Sequence, residues 1–147
     1  MTSLPPSILL SGYYGYGNVG DDAILLALAR ELRAGGVARI VVPAGDQTGA
    51  FAGEGLEFVR RFDLRAIRAA LQDGARVVSG GGGLFQDTTS VRSLVYYLGV
   101  LQLARQAGRR YVICGQSIGP LERAFSRFAV SRALAGAAAV SVRDRRS

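Results

Sequence analysis

The sequence predicts an α/β fold built on a mainly parallel sheet. Short apolar runs rich in β-branched residues alternate with amphipathic helical patterns along the chain, which is typical of consecutive βαβ units. The most glycine-rich connections, residues 12–20, 80–87 and 115–120, each follow an apolar run, where strands of such a sheet lead into ligand-binding loops. No repeat or low-complexity linker interrupts this alternation, so we expect residues 1–147 to form one Rossmann-like, doubly wound domain.

Several short segments have the composition of buried strands. Each is dominated by aliphatic residues, and charged residues, glycine or proline stand at or near its ends. The predicted strands are residues 7–11, 39–43, 57–60, 76–79, 111–115 and 139–143.

Between the strands, apolar residues recur at helical spacing and predict stripes that face the core. Gly35 and Gly36, Gly74, and Gly108 stand where helices commonly end. We interpret the stripes as core rather than as cofactor-binding segments. They comprise Ile24, Leu25, Leu28 and Leu32, then Leu64, Ile67 and Leu71, then Leu94, Tyr97, Leu98 and Leu101, and finally Phe125, Phe128 and Ala129.

Composition narrows the chemistry that the chain can perform. With 147 residues and 49% hydrophobic content, it can bury a core without disulfides or metal. A single cysteine and no histidine exclude zinc sites built from these residues, and they exclude the usual general base near neutral pH. Chemistry on this chain therefore depends on carboxylates, arginines, hydroxyls and backbone dipoles, and we expect no metal.

Arginine supplies the whole positive charge, because the sequence contains no lysine and its net charge is +7. The arginines, Arg61 included, lie mostly at outward helical positions, so we interpret them as a solvated surface, with attraction to an anionic substrate or membrane as the second interpretation. Basic and aromatic residues are not interleaved in the pattern typical of nucleic-acid-binding proteins, so we do not expect nucleic acid as a partner. The start resembles no signal peptide and no apolar run could cross a bilayer, so we expect a cytoplasmic protein.

The first loop, "SGYYGYGNVGDD", fits two kinds of ligand. Gly15, Gly17 and Gly20 match the G-x-G-x-x-G pattern of a dinucleotide site, between a strand and a helix as that site requires. Asp21 and Asp22, however, stand where the pyrophosphate would meet the helix N-terminus, and would repel it. We assign helix capping to Asp22 and keep Asp21 as a candidate base or hydroxyl-binding group.

The second loop, "SGGGGLFQD", contains more glycine than a tight turn needs. Its run of glycines favours the close approach of a ligand or another backbone, with N–H groups left pointing outward. Hydroxyl residues follow Asp87 directly, and Arg92 lies a turn into the next helix. Such a nest suits a phosphate or carboxylate.

Residues of the third loop and the last strand complete the candidate set. Gln116 and Ser117 offer neutral hydrogen bonds to sugar-like hydroxyls, but Ser117 lacks the histidine partner of a serine hydrolase. The last strand delivers Arg143 and Asp144 to the same edge of the sheet, where an ion pair or a plain surface arginine is the ordinary explanation.

Four segments, taken in order, resemble a known family. "LLSGYYGYGNVGDDAIL", "VVSGGGGLFQDTTSVRSLVYYLG", "GQSIGP" and "SVRDRRS" are similar to the amino-terminal half of the polysaccharide pyruvyl transferases, most of all the bacterial type that acts on secondary cell-wall polymers. The resemblance covers essentially the whole chain. It implies the amino-terminal domain of a GT-B-like two-domain enzyme, with the active site between the halves and the carboxy-terminal catalytic half absent from this chain.

The resemblance also implies a reaction. A transferase of this family moves the pyruvyl group of phosphoenolpyruvate onto a cell-wall polysaccharide sugar of the N-acetylmannosamine type as a ketal, without a cofactor or metal. The acceptor is a lipid-linked or polymeric sugar, which implies a peripheral position at the inner membrane face. Without its other half, we expect this piece to be inactive alone and its exposed apolar face to permit a homo-oligomer.

Motif by motif, the resemblance implies roles for residues. Asp21 is the catalytic or acceptor-binding acid, and Arg143 is the arginine directed at the donor's phosphate or carboxylate. The alternative that the residues leave open is a dinucleotide-binding oxidoreductase domain, and a non-catalytic anion or nucleic-acid binder is a third class. The remaining candidates for substrate binding are Gly15, Gly17, Asn18, Gly20, Gly81, Gly82, Gly83, Arg92, Gln116 and Ser117.

Overall fold

Strands and helices alternate in a computed structural model, which describes residues 6–147. The predicted α/β class and all predicted strands are confirmed. Three strands extend one residue beyond their predicted carboxyl ends, and the last strand stops one residue earlier than predicted. The strands are β1 (Ser7–Ser11), β2 (Arg39–Ala44), β3 (Glu57–Arg60), β4 (Arg76–Gly80), β5 (Tyr111–Gln116) and β6 (Ala139–Val142). The helices are α1 (Val19–Ala34), α2 (Leu64–Gln72), α3 (Val91–Gln106) and α4 (Ala124–Ala135), with a short 3-10 helix at Gly49–Phe51.

All strands of the sheet are parallel and lie in the order β3-β2-β1-β4-β5-β6. This is the strand order of the Rossmann fold, so the predicted Rossmann-like winding is confirmed. Leu9 of the central strand β1 pairs with Val41 of β2 on one side and with Val77 of β4 on the other. The order of winding reverses between β1 and β4, and ligands of such sheets bind outside the carboxyl ends of these strands.

Helices cover both faces of the sheet because successive side chains of a strand point to opposite faces. On one face, Leu9 belongs to a core that includes Leu94 of α3 and further residues of α2 and α4. On the other face, Leu10 packs in a second core with Leu25 of α1 and Phe51 of the 3-10 helix. The sheet is therefore doubly wound.

The predicted core stripe of the last helix is wrong. Phe125 and Phe128 are each 64% exposed, whereas Val130 and Ala133 face the core. Tyr111 of β5 fills the space beneath α4 and donates a hydrogen bond to the Ala133 carbonyl at 2.6 Å. The inward side of α4 is formed by Ser126, Val130 and Ala133, so the two phenylalanines lie on its outward side.

The other predicted stripes supply buried residues to the core, except that Leu64 is exposed at the start of α2. The glycines predicted to end helices follow α1, α2 and α3, and Gly36, Gly74 and Gly108 have positive φ there. Among residues 6–147, no helix is both long enough and apolar enough to cross a membrane.

A buried tyrosine joins the loops that follow β1 and β4. Tyr14 is inaccessible to solvent, and its hydroxyl donates a hydrogen bond to the Gly80 carbonyl at 2.6 Å. Its ring folds back over Gly12, where a Cβ would lie 2.2 Å from the ring. The bond therefore ties together the two strands at which the winding reverses.

Replacing Tyr14→Phe should lower the free energy of unfolding by about 1 to 3 kcal/mol, because the Gly80 carbonyl loses a buried donor. Tyr97→Phe is the matched control, since the Tyr97 hydroxyl is buried with no hydrogen-bond partner in the described part of the chain. That control should be neutral or slightly stabilising. Urea denaturation followed by circular dichroism measures both, and equal losses would contradict the assigned role of the Tyr14 hydroxyl.

Candidate functional site

The three glycine-rich loops lie side by side at the carboxyl-terminal edge of the sheet, where its strands end. They follow β1, β4 and β5, which are neighbours in the strand order. Because the strands are parallel, all three carboxyl ends point to this edge. The structure thus assembles the three predicted loops at the position where the fold binds ligands.

The second and third loops are paired through their backbones. The Gly82 carbonyl accepts the Ser117 N–H at 3.0 Å, and the Phe85 carbonyl accepts the Gly119 N–H at 2.7 Å. Phe85 and Ile118 form a parallel bridge between these bonds. The glycine run is therefore held against a neighbouring backbone, one of the two kinds of close approach that its composition predicts.

Gln116, a predicted substrate-binding residue, is completely buried beneath these loops. Its side-chain amide donates to the Ser79 hydroxyl at 3.2 Å, and its Oε1 accepts the Leu84 N–H at 3.4 Å. An irregularity in the pairing of β5 with β6, with Gly115 at φ +61°, precedes it. The polar atoms of Gln116 support the second loop rather than face a ligand.

The start of α1 is capped by Asn18, not by Asp22 as predicted. The Asn18 side chain accepts the Gly20 N–H at 3.1 Å. Because the helix begins at Val19, Asp22 lies within its first turn and reaches back to accept the Gly15 N–H at 3.1 Å. This bond occupies a loop N–H that the dinucleotide interpretation would assign to a pyrophosphate.

Asp21 lies next to the backbone of the second loop. A Cβ on Gly82, which has φ +75°, would come within 2.7 Å of Asp21 Oδ1. Partial burial, followed by the negative charge of Asp22, raises the pKa of the Asp21 carboxyl above its ordinary value. A carboxylate in such surroundings accepts a proton more readily, as a general base must.

A cavity of about 420 Å³ opens beside Asp21. Its lining combines tyrosine rings with hydroxyl and amide groups, a mixture that suits a sugar because hydroxyls can hydrogen-bond while an apolar sugar face packs on a ring. The cavity brings together three predicted residues, Asn18, Asp21 and Gly83. It also contains Thr89 and Ser90, two of the hydroxyl residues that follow Asp87, and Tyr97, which the sequence predicted as core. The other lining residues are Tyr13, Leu84, Gln86 and Ser93.

The remaining predicted glycines shape the loops from behind. Gly15 and Gly17 both have φ +75°, and the Gly15 carbonyl accepts the Gln47 N–H at 3.0 Å. A Cβ at Gly17 would lie 2.6 Å from the Gln47 side chain, and one at Gly81 would lie 2.5 Å from Ile24 of α1. These glycines permit close packing of the loop on its neighbours.

Three further predicted residues lie outside this cavity. Arg92 is exposed at the second position of α3. Ser117 lines a separate cavity of about 410 Å³ that includes the last residues of the chain. Arg143 is exposed just beyond β6, and its backbone N–H donates to the Gln116 carbonyl at 3.0 Å. Asp21 and Arg143 thus share an edge of the sheet, but β4 and β5 lie between their strands.

The carboxylate that ends the second loop anchors the third. Asp87 is buried and accepts the backbone N–H groups of Glu122 at 2.8 Å and Arg123 at 2.9 Å. These bonds, that of Glu122 first, lower the pKa of Asp87 to about 2. Asp87 therefore serves the framework and is not part of an anion nest.

Arg61 departs from the solvated surface expected for the arginines. It follows β3 directly, is only 9% exposed, and its guanidinium lies among five aromatic rings. A sequence signal was available, because Arg61 stands beside Phe62 at the carboxyl end of a predicted strand rather than on a helix. Within residues 6–147, no group of three or more acidic or cysteine side chains could hold a metal ion.

Comparison with known proteins identifies a family. The family model described as polysaccharide pyruvyl transferase matches residues 18–147, which include the capped start of α1 and both loops that follow β4 and β5. No curated protein and no solved structure matches the chain.

The lowered pKa of Asp87 predicts a pH dependence of stability. An ordinary Asp titrates near pH 4, so the bonds to Asp87 stabilise the fold fully above about pH 4, and this contribution is lost as pH falls through about 2. In the Asp87→Asn variant, the free energy of unfolding should therefore fall less between about pH 4 and pH 2 than it does in the wild type. Urea midpoints across that range measure it, with the exposed Asp46→Asn as control. If the urea midpoint of the Asp87 variant fell with pH as steeply as that of the wild type, the stabilising role of the Asp87 carboxylate would be contradicted.

Proposed function

The chain belongs to the polysaccharide pyruvyl transferase family, and from this premise we propose that the cavity beside Asp21 binds the sugar acceptor of a pyruvyl transfer. The predicted resemblance is confirmed by the family match, and with it the transferase class and a role in polysaccharide biosynthesis. The observation that carries the proposal is a partly buried carboxylate of raised pKa lining a cavity of hydroxyl groups and tyrosine rings.

The proposed donor is phosphoenolpyruvate, and the proposed acceptor is a cell-wall sugar of the N-acetylmannosamine type on a lipid-linked or polymeric chain. Thr89, Ser90 and Ser93 offer hydroxyl groups toward such a sugar, and Tyr13 and Tyr97 offer ring surfaces. A sugar presents several hydroxyl groups, so more than one of them can lie near a single carboxylate. Such an acceptor suits a reaction in which two hydroxyl oxygens bond to the same carbon.

Asp21 acts as the base in the proposed chemistry. An acceptor hydroxyl transfers its proton to Asp21 while its oxygen bonds to C2 of the donor, and the terminal methylene carbon takes up a proton. The C2–O bond to phosphate breaks, phosphate leaves with the electron pair, and an oxocarbenium centre remains. A second hydroxyl of the sugar bonds to this centre and gives its proton to the released phosphate, which closes the ketal.

We assign the donor to the β6 side of the same carboxyl-terminal edge of the sheet. Arg143 is exposed there beyond β6, and a guanidinium suits the donor's phosphate because it presents several N–H groups to oxyanions. We place this domain as the amino-terminal half of a GT-B-like enzyme at the cytoplasmic face of the membrane, inactive without a second half that protonates the methylene carbon. The exposed Phe125 and Phe128 supply an apolar surface for the self-association expected from the sequence.

Asp21→Asn should lower the rate of phosphate release from phosphoenolpyruvate by about 100- to 10,000-fold, because the acceptor hydroxyl loses its base. The assay uses the protein expressed from the complete reading frame that contains this sequence, with an acceptor sugar present. Asp73→Asn is the control, since Asp73 pairs with Arg39 at the opposite edge of the sheet. Unchanged turnover in the Asp21 variant would refute its role as base.

Asp22→Asn should move the acidic limb of the pH profile of kcat/KM to lower pH. The charge of Asp22 contributes to the raised pKa of Asp21, and an amide removes that charge while its oxygen can still accept the Gly15 N–H. Since Asp21 acts in its deprotonated form, a lower pKa keeps the base active at lower pH. A limb that stays in place or moves to higher pH would show that another group controls it.

A further inference from the structure

A buried arginine without an acidic partner lies beside the proposed acceptor cavity. Arg61 is 9% exposed, and in the described part of the chain its Nε has no hydrogen-bond partner. The ion pairs found among residues 6–147 involve Arg30 and Arg39 instead. Burying a cation without a paired anion is strongly unfavourable, so this position needs a specific explanation.

Aromatic rings surround the guanidinium in place of a counter-ion. Ring faces attract a cation through their quadrupoles, which explains how the charge is tolerated. They leave its Nε–H without an acceptor among residues 6–147, however, because ring faces do not accept bonds in the plane of the guanidinium. The aromatic cage comprises Tyr96 at 4.7 Å, Tyr97 at 5.1 Å, Phe62 at 5.2 Å, Tyr13 at 5.5 Å and Tyr16 at 5.7 Å, each measured from the guanidinium carbon to the ring centroid.

The aromatic cage and the Arg61 backbone are held in place by other contacts. The Arg61 N–H donates to the Ala44 carbonyl at 3.1 Å, and its carbonyl accepts the Tyr96 hydroxyl at 2.6 Å. Tyr13 and Tyr16 stack with their centroids 4.4 Å apart. A charge fixed in advance loses little freedom when it binds a ligand, which favours a binding role.

Arg61 is reached from a cavity that adjoins the one containing Asp21. It lines a space of about 480 Å³ together with Tyr16 and Phe62. Two other members of the aromatic cage, Tyr13 and Tyr97, line the Asp21 cavity. Members of the aromatic cage therefore stand in the walls of both cavities.

We propose that Arg61 and its aromatic cage bind a carboxylate group. The planar guanidinium edge matches the two oxygens of a carboxylate. Asp46 and Asp63 also line the outer cavity, and their charges repel a dianionic phosphate more strongly than a singly charged carboxylate. This inference rests on the proposed function, in which the carboxylate belongs either to the enolpyruvyl donor or to an acidic sugar of the acceptor polymer.

The test observes the Arg61 Nε–H resonance by NMR in the full chain labelled with ¹⁵N-arginine. Pyruvate is the probe for a donor carboxylate, glucuronate is the probe for an acidic sugar, and inorganic phosphate is the comparison anion. We expect a saturable shift of this resonance with a carboxylate and little with phosphate. The stronger of the two carboxylates identifies the source. No shift with either, or an equal shift with phosphate, would overturn the proposal.

Variants give a second measurement by calorimetric titration of the preferred carboxylate. Arg61→Met should weaken binding by about 10- to 100-fold, because charge-assisted hydrogen bonds are lost. The exposed Arg65→Met is the matched control and should bind as the wild type does. Since the resonance shift is measured on the wild type, misfolding of a variant does not affect the primary test.

The outcome for Arg61 is separable from that for the proposed function. A silent Arg61 resonance in a protein that still releases phosphate from phosphoenolpyruvate would overturn the carboxylate site alone. A carboxylate-dependent shift without any turnover in the complete protein would refute the proposed reaction and leave the binding site in place.

Discussion

The hydrogen bond from the Tyr14 hydroxyl to the Gly80 carbonyl is the contact on which the candidate site depends. It joins the ends of β1 and β4, where the winding of the sheet reverses and the crevice of a Rossmann-like fold opens. With these ends fixed, Asp21 at the start of α1 meets the glycine backbone of the second loop. A buried phenol at this position spans the gap because its ring provides apolar contact and its hydroxyl satisfies a carbonyl that water cannot reach.

Three aspartates at the same edge have different roles because their surroundings differ. Asp87 accepts backbone N–H groups that favour its charged form, and its pKa falls to about 2. Asp22 holds Gly15 in the first loop. Asp21 lines a cavity where burial disfavours its charge. Two aspartates therefore build the framework, and the third lines the cavity as the base of the proposed reaction.

The aromatic residues of the first loop link the two cavities. Tyr13 lines the cavity of Asp21 and also covers the guanidinium of Arg61, and Tyr16 stacks on Tyr13 from the side of the outer cavity. A cation held by rings keeps its hydrogen-bonding edge free for a ligand, whereas a cation held by a carboxylate would not. The first loop therefore lines the cavity that contains Asp21 and also covers the buried charge of Arg61.

The sequence by itself determined the strands, the positions of the helices and the three glycine-rich loops, because hydrophobic periodicity and glycine are local signals. It also indicated Asp21 as a candidate, which stays a prediction. It did not reveal that Asn18 caps α1, that Gln116 is buried, that Phe125 faces outward or that Arg61 is enclosed by rings. Each of these depends on a partner distant in the chain or on the position of a helix boundary. The contacts between distant residues exist only once the sheet has brought β1, β3, β4 and β5 together, so only the tertiary structure decided them.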